Sequence, residues 1–526
     1  MSQPTRRAFL RTAPVLGSAL LGGGLASPAS AQSPPPAAPT LPRFSFEDVL
    51  RRARDLQSAP FDPGPGRLPE GFEQLDYEAW RDIRFRPERA FLNAPGSLFR
   101  LQLLHLGHLY KRPVTVNIIR DGIASPIPYT PNLFDYGRAK IERPPSVNTG
   151  FAGFRLHFPL NDPRVYDELI AFLGASYYRF LGRGQRYGAS ARALAVGAGG
   201  PDEEFPFFRE FWIEQPEPQA ERAAFYALLD GRSATGAYRF DVFPGQDSAV
   251  EVRATLFPRV NGAKFGYAPL TSMFFLGEND RRFNEEFRIE AHDSDGLLLS
   301  NPSGEWAWRP LRNPAAPATS SFQAKDMRGF GLLQRDRSFS NYQDLDLAYE
   351  LRPSYWVEPR EGFGDGVVEL VELPTPDETN DNVVASFAPR DPPAAGSAVT
   401  FAYRIAASLE QGALSPNGRA VNTFQTVARA SGSRDAPPPR SRRFLIDFAG
   451  GELAYYARDP ALVEAVATAA NGRVLNAFVI ANPHIGGLRA VLDVQVDENQ
   501  TADLRAFLRA GGRALTETWT FPLALP

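Results

Sequence analysis

The chain has 526 residues, no cysteine, and 57 Lys and Arg against 60 Asp and Glu, for a formal charge of −3. That balance excludes disulfide scaffolds and thiolate chemistry, and the dispersed arginines lack the basic stripe that nucleic acid requires. The length exceeds what one core fills and predicts two or three domains, while 48 Pro, 44 Gly and 39 Phe indicate strands joined by many turns.

The N-terminus reads as a targeting segment. Thr5 to Arg11 carries paired arginines followed by Phe9 and Leu10, Ala13 to Leu25 is a short Gly-rich apolar run, and Ala29-Ser30-Ala31 is a cleavage signal. Residues 1–31 are therefore expected to be a twin-arginine signal peptide, which implies export to the periplasm. Its removal takes away Arg6, Arg7 and Arg11 and no acid, which moves the formal charge to −6. Residues 32–43 are Pro-rich and read as a disordered leader.

Phe44 to Leu56 has helical spacing with Ser45 as cap, and a second short helix is expected near Tyr77–Ile83. Phe99–Leu106, Pro113–Arg120 and Phe154–Phe158 read as strands. Asp162 to Leu173, with Pro163 in its first turn, is the best helix candidate of this half. Gly182 to Gly188 (GRGQRYG) lacks the strand–loop–helix context of a nucleotide site and reads as a turn. From Glu204 to Phe275 strand follows strand. Tyr238, Phe240 and Val242 alternate with Arg239 and Asp241, and Val250, Val252 and Ala254 alternate with Glu251, Arg253 and Thr255. The fold class is thus all-β dominated, with a large β-sandwich and a few helices over 44–388. Pro, Gly and small residues over 389–397 read as a linker, and the strands of 398–526 as an immunoglobulin-like sandwich with a loop at Ala430–Arg442.

Chemistry is expected between Ala291 and Asn382, where the clusters AHDSD and TPDETNDN bracket a run rich in Trp, Tyr, Arg and Gly. Aromatic faces stack on sugar rings, and two carboxyls can divide acid and base work. Phe287, Ile289, Ala291, Asp293 and Asp295 share one strand parity, which puts Asp293 on an apolar face; Asp293 and Asp295 as turn caps before Gly296 is the plainer alternative. Trp306 and Trp308 share parity as well. No His pair has zinc-binding spacing, no calcium-loop pattern is complete and no G-x-S-x-G occurs, so neither a metal nor another cofactor is expected.

The ordered motifs GFAGFRLHFPL, FLGASYYR, TGAYRF, APLTSMF, HDSD, GEW, RPLRNP, GFGLLQRDRSFSNYQD, RPSYWVEP, DNVV and LTETW resemble the periplasmic glucan biosynthesis proteins of the OpgG and OpgD type. The resemblance spans nearly the whole mature chain, and the twin-arginine motif leans to the OpgD branch. It implies a large β-sandwich with a long cleft, a small immunoglobulin-like domain, and work on the β-1,2-glucan backbone as an inverting glycoside hydrolase or transglycosylase. The alternative it leaves open is a non-catalytic protein that binds and guides the nascent glucan. Carried over by position, the general acid falls on Asp381 and the general base on Asp293. The loop RDRSFSNYQD matches one that closes over sugar, so Arg337 and Tyr342 become expected contacts. Trp306, Trp308 and Trp356 are expected to line or border the same cleft. A transient contact with an inner-membrane glucan synthase belongs to the same expectation, whereas oligomeric state is not readable from the residues. Two departures stand out: Asn380 precedes Asp381 where relatives carry an apolar residue, and Gly296 follows HDSD where a basic one occurs.

Overall fold

Ser45 opens the first ordered element. Its backbone N–H donates to the Asp48 carboxylate at 2.8 Å, closing the first turn of a helix, Phe46–Ser58, that stops just before Pro60. Val49 and Ala53 are buried and pack with Trp212, Tyr226, Leu228 and Phe257 on the outer face of a sheet. The computed structural model describes residues 43–525 except 65–67, 69–71, 74, 140–148, 282–284, 411, 413 and 431. The expected signal peptide, and the leader apart from Arg43, lie outside the described residues. The second helix is shorter than expected, Tyr77–Arg81, with Asp76 accepting from Ala79 N–H.

The expected helix at Asp162–Leu173 is not one. Asp162 accepts from Arg164 N–H and holds a turn, and Asp167–Leu173 is a strand paired antiparallel with Gly153–Phe158 and Tyr177–Phe180. Ile170 and Phe172 are buried, and such tertiary burial outweighs a local helix signal.

Two large sheets share one apolar core. The ten-stranded sheet runs from Arg100–Leu104 through Gly153–Phe158, Asp167–Leu173, Tyr177–Phe180 and Ser190–Arg192 to Phe265–Ser272, Val383–Pro389, Gly366–Glu372 and Ala318–Gln323, with Leu194–Val196 as a side branch. The facing sheet has fifteen strands, among them Phe207–Glu214, Ala223–Asp230, Ala234–Phe243 and Ser248–Pro258. Alternation dictates what meets between them: Phe154, Phe172 and Tyr178 stack in a row, and Phe211, Phe225 and Phe240 meet Phe172 edge-on at 5.2–5.4 Å. Each such ring contributes roughly 1.5–3 kcal/mol through burial.

The expected division at residues 389–397 does not separate the sheets. Val399–Ser408, which the sequence assigns to the start of the second domain, lies in the middle of the fifteen-stranded sheet between Ser248–Pro258 and Ser354–Glu361. Its alternation is real, and Phe401, Tyr403 and Ile405 enter the main core. The C-terminal strands contribute to two sheets. Thr518–Ala524 pairs in parallel with Trp306–Pro310 and continues the fifteen-stranded sheet through Thr501–Ala510 to Glu464–Ala470. Arg419–Thr426, Ser441–Ala449, Gly487–Val496 and Gly472–Asn482 form a separate four-stranded sheet. A second core fills the space between, joining Phe444, Ile446, Phe448, Trp519 and Phe521 to Leu298, Trp308, Leu333 and Trp356. Among the described residues no helix is long and apolar enough to cross a membrane.

Candidate functional site

A cleft of about 680 Å³ opens on the outward face of the ten-stranded sheet. Strand alternation builds it. In Tyr177–Phe180 the rings of Tyr178 and Phe180 enter the core, so Tyr177 and Arg179 turn outward into the cleft. Tyr110, Glu168, Tyr187 and Asp381 complete its polar and aromatic lining. Glu168 accepts from Arg155 and from the Tyr187 hydroxyl, both at 2.7 Å, which fixes one wall. Burial holds the phenols of Tyr110, Tyr177 and Tyr187 above their ordinary range, so they remain neutral donors.

Asp381 is an exposed residue of the cleft lining, with 27% of its side chain open to solvent. Solvent reaches the carboxyl from the open side and protein surrounds it elsewhere. Ser190 Oγ donates to Oδ2 at 3.3 Å, and Arg179 Nη2 stands 3.6 Å away. Burial pushes the carboxyl above its usual range, the negative charge of Asp293 adds to this, and Arg179 opposes both. The next residue sets its position. Asn382 accepts from Phe274 N–H at 2.8 Å and donates to the carbonyls of Phe274 and Leu373 at 3.0 and 2.8 Å. Asn380, one of the two sequence departures, is exposed on the cleft wall.

Asp293 is buried and is not among the residues that line the cleft. Its carboxylate forms a short ion pair with Arg352, and its N–H donates to Met273 O at 2.8 Å. Arg179 feels the negative charge of both Asp381 and Asp293, so the two acids share one electrostatic neighbourhood. The Gly182–Gly188 turn covers the pair from one side: a Cβ on Gly188 would meet the Arg352 side chain at 2.8 Å, which explains why that position has none. The strand expected around Asp293 is only Ala291–His292. Phe287 and Ile289, expected to point inward, are exposed.

The remaining expected residues sit elsewhere. Trp308 and Trp356 are buried, and Trp306 stacks on Trp356 at 5.6 Å. Trp306 and Trp308 do share a face, and that face belongs to the second core, because the parallel pairing with Thr518–Ala524 lays the C-terminal strands over it. None of the three lines the Asp381 cleft. Gly296 makes room for this packing: a Cβ there would lie 2.4 Å from the Trp308 ring, so no larger side chain has space at this position. Tyr342 is fully buried, stacked on Tyr349 at 5.5 Å, and its hydroxyl accepts from Gln334 at 2.8 Å. Arg337 donates to the carbonyls of Glu350 and Arg352 and so ties together the two ends of the 335–352 loop. Both residues hold the loop's shape from inside.

Beside Asp293 a buried ion cluster joins the loop to the C-terminal strands. His292 Nε2 donates to Glu290 at 2.9 Å, and Nδ1 donates to Gln334 at 2.8 Å with Asp295 at 3.2 Å. Burial alone would lower this imidazole, but Asp295 and Glu290 outweigh it and hold it up at about 9. Glu290, His292 and Asp295 offer ligand atoms within 4.8 Å of one another. With both imidazole nitrogens engaged as donors, the group reads as an ion cluster. Glu278 belongs to it and accepts from Thr423 N–H at 2.8 Å, while Arg335 pairs with Glu517.

Residues 44–523 match the family model described as periplasmic glucan biosynthesis protein, MdoG. The chain belongs to that family. It is similar to the Glucans biosynthesis protein G of Ralstonia nicotianae, 44% identical over 91% of this chain and 96% of the relative. The corresponding proteins of Rhodopseudomonas palustris and Pseudomonas paraeruginosa are 42% and 40% identical, over 90% and 91% of this chain and 92% and 93% of their own. Among solved structures, a Synechocystis protein aligns at 8% identity with a TM-score of 0.17, covering 49% of this chain and 93% of its own, a likeness that carries no argument. Within this member of the MdoG family, sequence reasoning missed Arg179, Ser190, Glu168, Tyr187 and Arg352. The first four lie outside the acidic stretch, on strands and turns where charged or polar residues usually face solvent. A signal existed for Arg179: its parity opposes that of Tyr178 and Phe180.

Proposed function

We propose that this MdoG-family chain handles β-1,2-linked glucan in the periplasm, binding the neutral backbone in the cleft over Asp381 as osmoregulated periplasmic glucans are assembled. The observation that carries this reading is the lining itself. Tyr110, Tyr177 and Tyr187 offer neutral aromatic surface, and Tyr110 and Tyr177 hydroxyl donors, around Glu168, Arg179 and Asp381, the mixture that grips sugar hydroxyls and pyranose faces. Titration calorimetry with linear β-1,2-glucan tests it. Binding is expected for the wild type and a severe loss for Tyr177→Ala; equal affinities would overturn the reading. Export through the twin-arginine route, affiliation with the OpgD branch and a transient contact with an inner-membrane synthase belong to the same proposal.

A second reading is favoured by one observation, the raised carboxyl of Asp381 beside an ion-paired Asp293. An inverting glycosidase needs one protonated acid and one ionised base. In this reading Asp381 protonates the leaving oxygen, and Asp293, which is buried outside the lining, takes the acceptor's proton through a relay of hydroxyls, the acceptor being water in hydrolysis or a glucose hydroxyl in transglycosylation. Mass analysis of products from linear β-1,2-glucan separates the cases: hydrolysis adds water, transfer does not, and an unchanged substrate leaves glucan binding and guidance as the whole function.

A further inference from the structure

We propose that Phe287 is a sugar-stacking platform on the rim of the cleft, held in place by Arg288, where a glucan chain longer than the cleft continues; this rests on the reading of the cleft as a glucan site. Phe287 leaves 71% of its surface exposed, the most of any phenylalanine among the described residues. One face of it is not free. The Arg288 guanidinium carbon lies 5.6 Å from the ring centroid, and the Arg288 side chain is itself only 5% exposed.

That guanidinium is the junction of three chain segments. It binds Glu286 through two donors at 2.8 and 2.9 Å, reaches Asp344 and the Tyr349 hydroxyl on the 335–352 loop at 3.3 Å each, and meets Glu378 at 3.1 Å. Glu378 belongs to the turn that ends in Thr379, Asn380 and Asp381 on the cleft wall. Phe287 is therefore tied through a single cation to the segment that carries Asp381. A ring fixed on one side and open on the other loses little entropy when a ligand stacks on it.

The surroundings also select the ligand. Three carboxylates, Glu286, Asp344 and Glu378, converge on one arginine, so the rim carries an excess of negative charge that disfavours an anionic polymer. An uncharged chain with apolar ring faces fits this chemistry, and a neutral glucan has it.

The test is calorimetric titration of the full chain with two linear β-1,2-glucans, one short enough to fill only the cleft and one several sugars longer. Phe287→Ala is expected to weaken the long glucan about three- to tenfold, as for loss of one aromatic contact, and to leave the short one unchanged. Phe287→Trp should restore the long-chain affinity, and Arg288→Lys, which cannot span three carboxylates, should reproduce the alanine defect. Equal affinities of Phe287→Ala and wild type for the long glucan overturn the platform alone. Equal weakening for both lengths overturns it too, since the ring would then act on the cleft as a whole. If the wild type binds neither glucan, the glucan reading of the cleft falls and the platform falls with it; Tyr177→Ala, expected to lose both lengths, marks that case separately.

Discussion

At the residue scale the proposed chemistry turns on Asp381. In the enzymatic reading Asp381→Asn keeps shape and hydrogen bonding while removing the proton. The rate on linear β-1,2-glucan should then fall by about 10²–10⁴ with affinity nearly unchanged. Because burial and Asp293 raise this carboxyl, the wild-type rate should decline as pH climbs through its displaced pKa, and the decline should be absent from binding. Retention of most of the rate by the folded variant would remove Asp381 from the acid's role. Arg352→Met should cost roughly 3–5 kcal/mol in denaturant unfolding, because it strands the buried Asp293 charge. His292 gives a separate signature. Its folded-state value of about 9 exceeds the ordinary 6.5, so its stabilisation is complete below about 6.5 and drains away as pH rises through 9. The raised carboxyl of Glu290 acts in the same direction from lower pH. Unfolding free energy should fall by on the order of 3 kcal/mol over that window. His292→Gln should flatten the curve, and a flat wild-type curve would contradict the cluster.

At the scale of elements, period-2 patterning was readable and neighbourhood was not. Val399, Phe401, Tyr403 and Ile405 announce a strand, and the preceding Pro and Gly announce a turn, yet no local feature says that this strand enters the centre of an earlier sheet. Trp306 and Trp308 show the same division. Their common face follows from parity, while what covers that face depends on a strand two hundred residues further on. The helix expected at Asp162–Leu173 fails for a related reason: acidic and proline residues gave a good start signal, and pairing with strands on both sides decided the outcome. The proposed pair Asp293 and Asp381 was named through ordered motifs, whereas Arg179 and Arg352 came into view only when the fold placed them near those acids. Ile405→Ala, in the central strand, should destabilise the protein by about 2–5 kcal/mol, as a fully buried large-to-small change does. A chain ending at residue 388 should fail to fold cooperatively, which circular dichroism melts would reveal.

For the whole molecule, the inserted strand sets an order of events. Ser248–Pro258 and Ser354–Glu361 have no partner on their facing sides until Val399–Ser408 has been synthesised, and Trp306–Pro310 waits longer still, for Thr518–Ala524. Contacts this distant in the chain slow folding and leave strand edges open meanwhile. A chain ending before Val399 would lack the strand that joins Ser248–Pro258 to Ser354–Glu361. With this connectivity the sheet is expected to close only once Val399–Ser408 and Thr518–Ala524 are both available, and a truncated chain would leave open strand edges of the kind that pair with other chains.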